Sequence, residues 1–297
     1  MFVLQNSLIL EILYKSLKKN IPESTKVYGA LFNIKNKNPF KMEVLVDAWP
    51  DYQMVITRPQ KQEMKDDQDH YTNTYQIFTK ATDKLEEVLS CSQVINWEKT
   101  FQIQGCQEGL DEAVRKVATS KSVQVDYMKN MLLMPELSKK HKTSSNYNME
   151  LFEMHKVDDN NKKGNFSNMF LDTSHAGLIN EHWAYGKNER SLKYIERCLQ
   201  DFLGFGVLGP EGELVSWIVM EQSCELRMGY TIPKYRSQGK MSQVLHYLEK
   251  YLSQKEIPFY AHRAGYEEKH LKILKNVDFK ICPCGWHQWK CTPKKYC

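Results

Sequence analysis

Apolar residues at the start of the chain recur at helical spacing: Leu4, Leu8, Ile9, Ile12, Leu13 and Leu17 fall on one face and predict a first helix. Residues 26–34 are rich in β-branched and aromatic side chains and read as a strand, with Asn36, Asn38 and Pro39 supplying turn chemistry. Two further strands are predicted over 42–49 and 52–57, closed by Pro50 and by Arg58-Pro59. After a charged run over 61–70 comes a short strand at 75–78, then helices at 84–89 and 110–120. Clustered strands followed by helices indicate an α+β first domain, 1–137.

Residues 138–165 are polar and poor in core residues, and are expected to be a linker. From Asp172 the pattern becomes regular through a second domain, 166–297. Asp172, Thr173 or Ser174 caps a helix running through Leu178, Ile179 and Trp183, and Asn188 to Ser191 caps a second with Leu192, Ile195, Cys198, Leu199 and Phe202 on one face. Strands at 205–208 and 214–220 flank the turn Gly209-Pro210-Glu211-Gly212. A strand from Glu225, a helix, a strand at 259–262 and a helix at 267–275 follow. Two strands, 279–282 and 288–291, are expected to close the chain as a hairpin. The order is α-α-β-β-β-α-β-α-β-β, and no internal sequence repeat is evident.

At 297 residues the length suits two domains with a sizeable core. A net charge of +5 spread over many acids and bases, without a recognition module, argues against a nucleic-acid binder. Eight cysteines are scattered rather than set at framework spacings, which fits reduced thiols inside a cell. No apolar run approaches the roughly 18 residues of a membrane span. The first residues lack a basic n-region and a cleavage site, and no arginine precedes Arg58, so neither a secretory signal nor a mitochondrial presequence is read there. Peripheral membrane contact through the first helix is the lesser alternative.

The stretch 225–250 carries the chemistry. A carboxylate opens a strand, Pro233 ends it, a basic turn with one glycine follows, and a helix begins. Strand, glycine turn and helix in that order offer backbone N–H groups to a phosphate. Asn188, Arg190 and Ser191, at a predicted helix start, suit a carboxylate equally well as they suit a plain cap. Cys282, Cys284, His287 and Cys291 are not at a standard zinc spacing, and no metal is expected. Cys224 is expected to face the core.

The segments 70–75, 188–191, 194–198, 208–212, 225–228 and 286–291, taken together, resemble the glycine N-acyltransferase family of the GNAT superfamily, over essentially the whole chain. The resemblance implies a GNAT-like domain, a mixed central sheet flanked by helices, preceded by an α+β domain that is either separate or a degenerate repeat of the same fold. It implies an enzyme moving an acyl group, medium- or long-chain fatty acyl, from acyl-CoA to the amine of glycine, with no cofactor beyond acyl-CoA and no partner beyond its two substrates; a monomer is expected. Transfer to another amino acid, or a catalytically weak acyl-CoA binder, are the alternatives. The endoplasmic reticulum is the expected compartment, the mitochondrion the alternative.

By the same resemblance Glu225 is the general base, aided by burial that raises its pKa. Arg236, Ser237, Gln238, Gly239, Lys240 and Met241 form the pyrophosphate turn, in which a β-carbon at Gly239 would obstruct the approach. Independently of the resemblance, Asn188, Arg190 and Ser191 are candidates for the glycine carboxylate, with a plain helix cap as the equal alternative. The chain departs from the superfamily at Met241, where a small residue is usual, at the helix start near Glu267, which lacks an Asn, and at Asp278, which replaces a Gly. Tyr266 is either a proton donor to the leaving thiolate or a surface tyrosine.

Overall fold

The computed structural model describes residues 1–136, 166–265 and 279–297. Among the described residues both halves of the chain open with the same succession of eight elements. The first runs β1 (Phe2–Leu4), α1 (Ser7–Lys18), α2 (Thr25–Lys35), β2 (Met42–Val46), β3 (Met54–Pro59), β4 (Thr74–Thr79), α3 (Leu85–Ser90), β5 (Phe101–Gly105), α4 (Asp111–Ser120) and β6 (Val123–Pro135). The second runs β7 (Ser167–Phe170), α5 (Ala176–His182), α6 (Glu189–Asp201), β8 (Gly204–Leu208), β9 (Leu214–Met220), β10 (Glu225–Thr231), α7 (Lys240–Gln254), β11 (Tyr260–Arg263) and β12 (Phe279–Pro293). The two halves therefore share a β-α-α-β-β-β-α-β order, and each ends on a long strand. The expected linker and the helix at 267–275 lie outside the described residues.

The strands form one mixed sheet in the order β1-β2-β3-β4-β5-β12-β6-β11-β10-β9-β8-β7. Each half contributes one parallel pair, β4 with β5 and β10 with β11, and the halves exchange their last strands: β12 lies between β5 and β6, and β6 pairs with β11. The centre of the molecule is thus the long antiparallel β6–β12 pair, and the halves share one sheet.

Layers on both faces follow from alternation along the strands. β9 sends Trp217 and Val219 to the face covered by Tyr194, Ile195, Cys198 and Leu199 of α6, and Ile218 and Met220 to the face covered by Val244, Leu248 and Leu252 of α7. Fully burying each of those three α7 side chains stabilises by about 1.5–3 kcal/mol. Asn6 caps α1, accepting from Leu8 and Ile9, and Leu10, Leu13 and Leu17 are buried while Leu8 and Ile12 stay exposed.

Several expectations are corrected. Residues 26–34 are helix α2, not a strand. Thr25 through Leu31 are all buried, so packing on every side decides the conformation and the β-rich composition misleads. Leu4 belongs to β1 rather than to the first helix. β5, β6 and β7 add strands that the pattern missed; in β5 the polar Gln102 and Gln104 are as buried as Phe101 and Ile103. The terminal hairpin is one strand: 279–282 and 286–293 both pair with β6, and the Pro283–Gly285 turn signal is absorbed by a bulge with Gly285 at φ 70°.

Candidate active site

β10 and β11 are hydrogen-bonded neighbours only at Glu225↔Tyr260 and Leu226↔Ala261. Beyond that, β10 bulges between Arg227 and Tyr230, with Met228 at φ 59°, and the two strands part. A cleft therefore opens from Glu225 toward the end of β10 and the turn before α7.

At the closed end Glu225 is fully buried. One carboxylate oxygen is ion-paired with Lys26 of α2, and the other with Nδ1 of His262 on β11. Burial works to raise the pKa, but the Lys26 ammonium and then His262 outweigh it and hold the carboxyl well below the usual range. This reverses the expected direction: partial burial alone favours the neutral acid, whereas burial beside the Lys26 ammonium and a hydrogen-bonding imidazole favours the anion. Burial lowers the His262 pKa against the pull of Glu225, so the ring is neutral at neutral pH. With Nδ1–H donating to Glu225, Nε2 is unprotonated and has no partner among the described residues. The ring stacks on Trp286, centroids 3.9 Å apart.

Lys26 is also fully buried. Its ammonium donates to Oε1 of Gln104 at 2.7 Å and reaches Oγ of Ser223 at 3.4 Å. The helix can approach this closely because Gly29, one turn on, meets the Ser223 backbone. A Cβ there would lie 1.9 Å from the Ser223 carbonyl oxygen.

The open end of the cleft carries the turn 236–241. Ser237 and Gly239 have positive φ, 62° and 74°, and α7 begins at Lys240 with the free N–H groups of its first turn. No atom lies within 4 Å of a Cβ built at Gly239, so the position needs glycine for its backbone angle and leaves space above the turn. Arg236, Ser237, Gln238 and Gly239 are exposed; Arg236 donates to the Thr231 carbonyl and lies over the Tyr230 ring. The Lys240 ammonium sits over Phe166, and burial lowers its pKa. Met241 packs beside Gly229 on the core cluster of α7 and does not fill the turn.

The trio expected to take a carboxylate behaves otherwise. Asn188 and Ser191 form a capping box for α6, with Ser191 N–H donating to Asn188 at 3.0 Å and Asn188 Nδ2 donating to Tyr71 at 2.9 Å. Arg190 is paired with Asp66 at 2.7 Å on the surface. Of the three, Asn188 alone lines the cavity of ≈ 380 Å³ that lies between the halves. Arg227 is a buried cation that does line it. With Arg227 stand Gln102, Gln104, Gln288 and Tyr194.

Lys26, His262 and Gln104 were also missed. One signal was available for Lys26, a lysine that opens an apolar run. His262 at the end of a strand beside a carboxylate's strand carried none.

Cys224 is buried with its thiol donating toward the Gly29 carbonyl, and burial raises its pKa well above the usual value. His287 has both ring nitrogens engaged, Nε2 donating to the Cys284 carbonyl at 2.9 Å and Nδ1 accepting from Tyr127 at 2.8 Å, which a terminal metal cluster would not allow. Tyr266, Glu267 and Asp278 lie outside the described residues.

Comparison with known proteins identifies the family. The profile described as aralkyl acyl-CoA:amino acid N-acyltransferase matches residues 1–203, and that of its C-terminal region matches 205–293. The chain is 82% identical to human glycine N-acyltransferase-like protein 2 over the full length of both. It is 42% identical to bovine glycine N-phenylacetyltransferase, covering 99% of this chain and 100% of that one, and 39% identical to rat glycine N-acyltransferase, covering 98% of each. A Drosophila protein solved by X-ray crystallography shares the fold at 15% identity, TM-score 0.72, over 98% of this chain and 97% of that one.

Proposed function

The chain belongs to the aralkyl acyl-CoA:amino acid N-acyltransferase family, and from that premise we propose that it transfers a medium- or long-chain fatty acyl group from acyl-CoA to the amine of glycine. Relatives named as glycine N-acyltransferases support glycine as the acceptor. The fatty acyl preference rests on the resemblance of the motif blocks alone.

The observation that carries the reading is the contact of Glu225, at the first paired step of β10 and β11, with His262, one residue past the last, with the glycine turn at the far end of the same cleft. CoA pyrophosphate would take the N–H groups at 237–241, with Arg236 adding charge. The thioester would then lie toward Glu225.

Glycine's ammonium must lose a proton as its nitrogen attacks the thioester carbonyl. Glu225 is a weak acceptor itself, since both oxygens are engaged and its pKa is held low. The accepting atom in this proposal is Nε2 of His262. Glu225 fixes the tautomer through Nδ1 and stabilises the imidazolium that forms, as a buried carboxylate does behind a catalytic histidine. Lys26 keeps Glu225 ionised. The new C–N bond replaces the C–S bond; of the two protons the ammonium gives up, one passes through His262 to the departing CoA thiolate and the other goes to solvent.

Purified protein incubated with a panel of acyl-CoAs and glycine should release CoA thiol only when both substrates are present. Acyl-CoA binding without thiol release, across varied amino acids, would overturn the transferase reading in favour of a binding protein.

A further inference from the structure

The Arg227 side chain is buried, with no ion pair and no hydrogen bond among the described residues. Its Nε is sealed from solvent and without a partner. A buried guanidinium is ordinarily met by a carboxylate or by several carbonyls, because removing it from water is expensive. Glu225, two residues back on the same face of the strand, gives its oxygens to Lys26 and His262 instead.

The surroundings hold the guanidinium but do not satisfy it. It lies over the rings of Trp183 and Trp286, 5.8 and 5.7 Å from their centroids. It faces the cavity of ≈ 380 Å³, where Gln104 Nε2 donates to Gln102 at 3.1 Å and to Gln288 at 2.8 Å, and Tyr194 donates to Gln222 at 2.6 Å. These neutral groups are already partnered with one another. Burial, with Lys290 and Arg227 nearby, pulls the His70 pKa down to about 3, so that ring is neutral as well. Asp126 and Lys290, the other charged side chains lining the cavity, sit beside each other across β6 and β12.

We propose that Arg227 receives the carboxylate of the amino-acid acceptor in this cavity, and so makes a free carboxylate next to the amine a condition of acceptance. The inference rests on the acyltransferase reading and deepens it. A planar fork of N–H donors matches a carboxylate in two parallel hydrogen bonds. The same Trp286 ring that lies under Arg227 stacks on His262, so an acceptor anchored at Arg227 has its α-amine on the side of the Glu225–His262 pair. Amines without a carboxylate leave the guanidinium buried and unpaired and are rejected for that reason.

The test compares glycine with glycinamide as acceptors, and uses glycolate, in which a hydroxyl replaces the amine, as an inhibitor. The wild type should prefer glycine, and glycolate should compete with glycine but not with acyl-CoA. In Arg227→Met the KM for glycine should rise on the order of 10- to 100-fold, from the loss of one charged hydrogen-bonded contact, with the acyl-CoA KM unchanged and the preference over glycinamide lost. Arg227→Lys should keep part of the preference, and it replaces the first variant if Arg227→Met does not fold. Equal use of glycinamide by the wild type, an unchanged preference in Arg227→Met, or a rise confined to the acyl-CoA KM each overturn the inference. Titrating glycolate into wild type and Arg227→Lys saturated with acyl-CoA needs no turnover: equal affinity overturns the site, and weaker binding in the variant supports it. Absence of turnover with every acyl-CoA and amine, alongside Arg227-dependent glycolate binding, would instead remove the transferase reading alone.

Discussion

Lys26, on α2 of the first half, and Glu225, at the start of β10 of the second, form an ion pair in which neither side chain reaches solvent. The first half is thereby part of the site. It supplies the cation that keeps the carboxylate charged, and Gln104 behind it links the pair to the cavity.

Breaking this pair from one side should be severe. Lys26→Met leaves Glu225 buried without its cation and should destabilise by about 3–5 kcal/mol. Adding Glu225→Gln to Lys26→Met should recover part of that loss, since the uncompensated charge is gone. Thermal or denaturant unfolding of the four proteins reads the coupling. Additive losses would contradict a direct pair.

His262→Asn retains a polar ring-sized group but no proton acceptor at Nε2. Turnover should fall on the order of 10²-fold or more, with acyl-CoA affinity held. Steady-state kinetics together with titration calorimetry separates the two. A variant with normal turnover would take His262 out of the reaction.

Stability should decline on the acid side in two stages. Burial sets the folded pKa of His262 and His70 below the ordinary value, so their neutral rings contribute stability that is present above about 6.5 and lost as pH falls toward the folded values. The folded pKa of Glu225 is depressed, so its contribution is present above the unfolded value near ~4.3 and is lost as pH falls through the folded one. Melting temperatures should be flat between about pH 7 and about pH 8, fall below about 6.5 and fall more steeply below about 4.3. In His262→Asn the first decline should be shallower; an identical slope contradicts a buried neutral His262.

Gly239→Trp places a side chain in the open space above the turn, on a backbone at φ 74°. Acyl-CoA affinity should weaken by about tenfold or more, the loss expected from one or two charge-assisted hydrogen bonds. Calorimetry on the variant checks it, and retained affinity argues against pyrophosphate at this turn.

Arg190→Ala provides the contrast with Arg227. Its partner Asp66 is a surface residue, and exposed pairs are worth about 0–1 kcal/mol. The KM for glycine should stay near that of the wild type. A large rise would restore Arg190 to the acceptor site.

The strand, turn and helix at 225–250 were legible because each has a local signal: Pro233 ends the strand, Gly239 permits the turn, and Val244, Leu248 and Leu252 repeat at helical spacing. The partners of Glu225 were not, since Lys26 lies 199 residues away on a helix whose composition reads as strand. The shared element order is likewise hidden, because α3 has six residues where α7 has fifteen. Arg190 and Arg227 could not be ranked from pattern alone. Which arginine is buried and unpaired depends on how α6 and β10 meet the first half.

The most direct test of the central claim is turnover of Glu225→Gln measured beside its acyl-CoA affinity. The amide keeps the shape of the side chain but removes the charge that orients His262 and stabilises its protonated form. Turnover near neutral pH should fall on the order of 10²-fold or more while acyl-CoA binding stays close to that of the wild type. Unchanged turnover would contradict the account.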